Sequence, residues 1–347
     1  MTCISASALD MSGLHMSRLY LNEAALWLAH PNTGLSSVPW EIDPYGVAAV
    51  LPTGLIYGVG LSRVWAKTGV GQGIAVWRAL AFGIGWTVLT FALLSPLDSL
   101  SDLLFSAHML QHELLMLVVA PLMILGRPML AALWILPRAT RLKVTQASNR
   151  TWAQVCWGFL STPWFALALH GLVRWIWHAP ALFEGAMRNP SWHAFQHFTF
   201  FASAALFFRV LFEGRYGKAG YGVAMLFVFA TALHTSVLGA LFALGPHVAY
   251  AIYALRSPLV GQNALEDQEL AGLLMWIPSG FVFAGIGLAL FGAWLGEIEK
   301  RAELVNKRRQ AGAVTVSATE ASMESDSRFH SPGAEETARP DRGTHLA

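Results

Sequence analysis

The stretch LLFSAHMLQHELLMLVVAPLMIL, Leu103–Leu125, decides how this chain is read. About 20 apolar residues cross the hydrocarbon core of a bilayer as a helix, and this run is long enough. It also carries His108 and His112, which lie four residues apart and so share one helical face. Met116, four residues further, extends that face. An ionisable side chain at membrane depth costs free energy and marks a functional site unless something else accounts for it. The rest of the sequence is therefore searched for partners to this stripe.

Composition points the same way. Of 347 residues, 55% are hydrophobic and only 13% are charged, against about 25% charged in an average soluble chain. That deficit describes an integral membrane protein rather than a large soluble core. The net charge of +2 gives no reason to expect an acidic partner. The two cysteines, Cys3 and Cys156, are not expected to pair, and no C-x-x-C spacing offers a thiolate clip. Residues 1–30 lack the basic, apolar and small-residue order of a cleaved signal peptide, so an uncleaved polar tail is expected there.

Seven apolar stretches qualify as spans: Tyr45–Trp65, Ile74–Leu94, Leu103–Leu125, Val155–Trp177, Trp192–Phe212, Tyr221–Leu244 and Leu270–Leu295. Pro52, Pro121, Pro163 and Pro278 lie within them and are expected to kink rather than end them. Met129–Leu136, bracketed by Pro128 and Pro137, is too short to cross and reads as an interfacial or re-entrant piece. Sixteen Lys and Arg residues follow the first, third, fifth and seventh spans, against three (Arg18, Arg188, Arg256) on the other side. By the positive-inside rule this puts the N-terminus outside and the C-terminus in the cytoplasm. The expected organisation is a polar extension over residues 1–44, an all-α membrane domain of seven transmembrane helices over 45–295, and a tail over 296–347. That tail is basic at first and, from about Ala311, polar enough to be expected disordered. His330 and His345 lie in it and are given no role.

Eight of the twelve histidines fall between positions 108 and 247. Under the expected orientation, those in the spans all lie in the outer part of the bundle. His193 and His197 repeat the i, i+4 spacing of His108 and His112. His178 sits at the outer mouth of the fourth span, with His170 deeper, and His234 lies below the outer end of the sixth. His247, Asp267, Gln268 and Glu269 belong to the outer connections. Imidazole suits copper, zinc and iron, and thioether sulfur favours Cu(I). Met109, Met116, Met225 and Met275 are available, Met116 being best placed. Arg174, four residues from both His170 and His178, needs an acidic partner at its depth; Asp267, Glu113 or Glu184 could supply it, or the side chain could snorkel outward.

What is missing narrows the classes. There is no phosphate loop, dinucleotide fingerprint or G-x-S-x-G, and no basic, aromatic-interleaved stripe for nucleic acid. His112-Glu113 lacks the second histidine of H-E-x-x-H, so a zinc protease is not supported.

Four motifs in combination, SAHMLQHELLMLVVAPLMILGRP (Ser106–Pro128), WHAPALF (Trp177–Phe183), WHAFQH (Trp192–His197) and LEDQELAGLLMWIP (Leu265–Pro278), resemble the seven-helix CtaG family of caa-type cytochrome c oxidase assembly factors. The resemblance runs from about Tyr45 to Leu295. It implies a non-enzymatic role in maturing a haem–copper oxidase in a bacterial inner membrane, with oxidase subunits and the lipid bilayer as partners and copper as the metal. The matching positions are His108, His112, His178, His193, His197, Asp267, Gln268 and Met275. Glu113 departs from it, since an apolar residue is expected there. The metal-binding core is expected to be His108, His112, His193 and His197 with His178 at the mouth, supported by Met116, His170, His234, Asp267, Gln268 and Met275. Two alternatives stand beside this: a haem b electron carrier with axial histidines from two helices, and a scaffold whose histidines only hydrogen-bond.

Overall fold

The computed structural model describes residues 40–213 and 220–329. Most of the polar N-terminal extension, Arg215 and Lys218 of the fifth loop, His330 and His345 lie outside them. Among the described residues all regular structure is helical. The elements in order are α1 (Pro44–Thr68), α2 (Val76–Leu94), α3 (Pro96–Leu103), α4 (Phe105–Leu125), α5 (Pro128–Ile135), α6 (Arg138–Ser148), α7 (Thr151–Leu160), α8 (Pro163–Trp177), α9 (Pro180–Arg188), α10 (Pro190–Glu213), α11 (Gly220–Ala243), α12 (Ala251–Arg256) and α13 (Ala264–Phe329). Two compact units divide the chain, Met1–Leu290 and Phe291–Ala347.

Local chemistry sets the boundaries. Asp43 accepts the amides of Tyr45 and Gly46 to cap α1, and Ser95 accepts that of Leu97 to cap α3. Proline stands at the start of α1, α3, α5, α8, α9 and α10, where its missing N–H costs nothing and its fixed φ suits a helix. Gly69, at φ 95, stops α1.

Among the described residues, six helices are long and apolar enough to cross a membrane, and the α7–α8 pair, bent by 60°, makes a seventh if it counts as one span. The chain is thus an all-helical, multi-pass membrane protein. The fourth span differs from the single helix expected over Val155–Trp177. It breaks at Ser161-Thr162, because Pro163 cannot continue the ladder and its ring crowds the carbonyl four residues back. The short apolar piece after the third span is α5, laid against α1. A Cβ on Gly60 would lie 2.1 Å from the Ala131 carbonyl oxygen, so only glycine permits that approach. In the second unit the backbone stays helical to Phe329, past the point near Ala311 where composition predicts disorder. Ala, Glu, Lys and Arg are good helix formers even without burial.

Among the described residues of the first unit, five packing groups hold the helices. Tyr57 of α1 stacks on Phe82 of α2 with ring centroids 3.5 Å apart, and its hydroxyl donates to the Gly126 carbonyl. Phe207 of α10 stacks on Phe227 of α11, with Phe283 of α13 against its edge. Phe105, Met109, Phe183, Tyr250, Tyr253 and Met275 belong to a third group. Outward-facing Leu55, Ile84, Phe229, Phe281 and Leu288 are exposed, as lipid-facing side chains should be.

One contact inside the bundle is ionic. Arg174 Nη2 of α8 lies 2.9 Å from Glu113 Oε1 of α4, with side-chain exposures of 1% and 5%. Of the three acids open to Arg174 from the sequence, Glu113 is the partner. Removing one partner of a buried pair strands the other and costs about 3–5 kcal/mol. Glu113→Gln alone is therefore expected to destabilise the protein by about that amount, and adding Arg174→Met should recover most of it. Unfolding titrations in detergent measure both; equal losses in the single and double variants would refute the coupling.

Candidate metal centre

The first half of α4 carries the site, and its N-terminus is held from a distance. Leu104 precedes the helix and has no capping side chain. The Asp267 carboxylate of α13 takes that role: it accepts the amides of Phe105 (2.7 Å) and Ser106 (3.2 Å), the Ser106 hydroxyl (2.5 Å) and the Ser257 hydroxyl (3.3 Å). A carboxylate at a helix N-terminus satisfies free N–H groups and meets the positive end of the dipole. Asp267 is therefore a positioning residue for the helix that bears His108 and His112.

Immediately after Glu113 the helix widens into a π turn, Leu114–Val119. Pro121 supplies a reason: it removes one amide from the ladder and its ring would press on the Leu117 carbonyl. π turns inside α-helices are frequent at functional sites. The structure places Met116, within this turn, with its sulfur 3.5 Å from Arg174 Nη2.

The second pair stands on α10. Asn189 Oδ1 accepts the amides of Ser191 (3.0 Å) and Trp192 (3.2 Å), and Pro190 opens the helix. His193 and His197 follow in the first two turns. The Tyr45 hydroxyl lies 2.7 Å from Ser191 Oγ and ties this end to α1.

The two i, i+4 pairs meet. Ring centroids are 4.2 Å apart for His108–His112, 4.2 Å for His193–His197, 5.0 Å for His108–His193 and 5.1 Å for His112–His197. One nitrogen from each of the four lies within 4.8 Å of the others. His108 and His112 are fully buried, and His193 is partly covered. Phe183 packs on His108 and Phe200 on His112. Both ring nitrogens of His108 and of His112, and Nε2 of His193 and His197, have no protein hydrogen-bond partner. Each such buried nitrogen costs about 1–3 kcal/mol if left bare.

These residues fit a metal. Imidazole nitrogens bind at about 2.0–2.1 Å, so four around one tetrahedral ion lie about 3.3 Å from each other. The nitrogens, within 4.8 Å of one another, must draw closer to share an ion. The donor set is all imidazole, which suits copper or zinc.

The other expected site residues lie around this core. His178 is adjacent: its ring is 6.3 Å from that of His112, its Nδ1 is 2.7 Å from the Arg174 carbonyl, and its Nε2 is 3.4 Å from Met109 Sδ. His170 and His234 form a separate pair, 6.1 Å between centroids. Gln268 fastens the chain between α11 and α12, donating to the His247 carbonyl (3.0 Å) and accepting the Ala249 amide (2.6 Å). Met275 packs in the wall with Phe105 and Met109. Sequence reasoning did not single out Ser106, Gln111 or Ser257. Gln111 donates to the Ala92 carbonyl and to Asp98 Oδ1, each at 2.7 Å. Its only sequence signal is its position next to His112.

A family model described as cytochrome c oxidase caa3 assembly factor (Caa3_CtaG) matches residues 55–297. No curated protein and no solved structure matches the chain.

Asp267→Ala is expected to lower stability by about 1–2 kcal/mol, the scale of a lost cap, in detergent unfolding. It should also increase hydrogen exchange at the first turn of α4; unchanged exchange there would remove Asp267 from its positioning role. Asp98, on α3 outside the spans, has its carboxyl raised from about 3.8 to about 6, chiefly by burial and against the Gln111 hydrogen bond. The folded state holds that proton more tightly than the unfolded chain, so this contribution is full below about pH 3.8 and is lost as pH rises through about 6. Asp98→Asn should flatten thermal stability across that window; an unaltered pH profile would contradict it.

Proposed function

Because the chain belongs to the family of cytochrome c oxidase caa3 assembly factors, we propose that it handles copper destined for the oxidase, using His108, His112, His193 and His197 as the holding site. The supporting observation is the convergence of four imidazoles from two helices, with nitrogens that the protein leaves without partners. Copper is the cargo here, and the chain's own chemistry is to bind and release it. Two of the four ligands stand on a helix whose N-terminus Asp267 clamps; the other two stand on α10, where His193 is partly uncovered. A carrier needs both qualities, since ligands must be held ready yet remain reachable by a recipient.

The site lies at the end of the bundle that the Lys and Arg distribution assigns to the outside. In this reading the protein sits in the bacterial inner membrane, N-terminus outside, and meets oxidase subunits at that face. The bound ion then need not cross the bilayer to reach its client. Haem ligation at the cluster is not favoured: His108 and His193 are stacked 5.0 Å apart, and Phe183 and Phe200 pack on His108 and His112.

Full-length protein purified from copper-supplemented cells should contain copper by elemental analysis, and the His112→Ala, His197→Ala double variant should lose it. The His112→Gln, His197→Gln variant, which leaves a smaller void, should behave alike. Equal copper in wild type and both variants would overturn the proposal.

A further inference from the structure

His178 stands between the four-imidazole cluster and the surface. One side of its ring lines a groove of about 420 Å³ shared with Trp175, Leu238, Phe242, His247 and Gln268. Its Nε2 meets Met109 Sδ at 3.4 Å, and its ring centroid is 6.3 Å from that of His112. His178 is therefore next to the groove, to a thioether and to the four-histidine cluster.

Hydrogen bonding orients His178 for this place. A carbonyl oxygen can only accept, so the 2.7 Å contact with Arg174 O requires Nδ1 to carry the proton. In the neutral ring, Nε2 then presents a lone pair. What it meets, at 3.4 Å, is the Met109 thioether, another electron-pair donor and a poor hydrogen-bond partner. A histidine whose second nitrogen donates to a backbone carbonyl has the arrangement usual for a metal ligand. With bonds of about 2.0 Å to nitrogen and about 2.3 Å to sulfur, the 3.4 Å gap corresponds to an angle near 100° at a shared ion, the angle of a three- or four-coordinate ion, so these two atoms supply part of its shell.

The surroundings select the ion. Thioether with imidazole favours Cu(I). Phe183, Phe200 and Phe242 pack around the ring, and Met109 is fully buried. In such a setting the cost of burying an ion grows steeply with its charge, which favours one charge over two.

We propose that His178 Nε2 and Met109 Sδ form a Cu(I) transfer site between the groove and the four-histidine cluster, so that the ion changes ligands stepwise rather than crossing the gap unbound. This rests on the copper reading of the cluster and adds to it a second site, an oxidation state and a route.

The test is X-ray absorption at the copper edge on the full-length protein loaded anaerobically with two equivalents of Cu(I). Wild type should show a sulfur scatterer together with imidazole nitrogen. Met109→Leu, close in volume and so mild for packing, should lose the sulfur signal and slow copper transfer to a Cu(I) chelator about tenfold. His178→Gln, which can still donate to the Arg174 carbonyl, should lose the sulfur signal too. Copper bound by imidazole alone in wild type, or a sulfur signal unchanged in Met109→Leu, would overturn the transfer site and leave the cluster reading intact. Wild type that takes up no Cu(I) would overturn both.

Discussion

Burying charge inside a lipid-facing bundle is tolerable only when the charge is paired, and the Arg174–Glu113 contact is the place where this chain meets that requirement. Its consequences reach further than neutrality. Glu113 is next to His112, and Arg174 is one helical turn before His178. Joining the two heads at 2.9 Å fixes α4 against α8 at the depth of the site. The same arginine receives His178 on its carbonyl and Met116 on its guanidinium. The guanidinium thus joins two helices and meets a methionine, while the backbone carbonyl of the same residue orients a histidine ring.

Asp267 completes the fixture from the other side. The pair acts at the end of the straight part of α4, and the carboxylate acts at its first turn. Between them lie His108, Met109, Gln111 and His112. Gln111 adds a third tie, to the Ala92 carbonyl and Asp98. A helix anchored at both ends and along one side has little freedom to roll, so the backbone positions of His108 and His112 are set before any ligand arrives. Such preorganisation lowers the cost of binding. The α10 histidines depend on a different support, the Asn189 cap and the Tyr45–Ser191 contact.

The sequence carried much of this in plain form. Hydropathy located the spans, and i, i+4 spacing identified the two histidine pairs, because helical periodicity is a local property. Arg174's need for an acid was legible as well; which acid was not, since Glu113, Glu184 and Asp267 are separated along the chain and only packing brings one to 2.9 Å. The π turn was not legible, because Pro121 inside a span can be absorbed in several ways and the choice depends on neighbouring helices. The break at Ser161-Thr162 had its signal in Pro163, but the 60° bend did not follow from it. Met109 is adjacent to His108 in sequence and so points to another face of the helix. Its meeting with His178, 69 residues away, is a tertiary fact. Asp267 stood out from the sequence as a supporting residue, but that its oxygens would accept the backbone amides and hydroxyl at the start of α4 was not legible, since 161 residues separate it from Ser106.

A folded chain pairs nearly all its buried polar atoms. Here Gln268, Tyr57, Tyr253 and Ser257 find backbone or carboxylate partners, whereas Gln196, Ser161, Thr235 and His234 carry buried side-chain atoms without one, as the clustered histidines do. His178 is satisfied on one nitrogen and faces sulfur on the other. The four clustered imidazoles crowd together instead, each nearest to rings that can offer it little. Had they been selected for stability alone, apolar residues of similar size would fill the same space at lower cost. Buried atoms without partners that gather at one place, as those of His108, His112, His193 and His197 do, mark a candidate functional site. Here that place lies between two firmly held features, the Asp267 clamp and the Arg174–Glu113 pair.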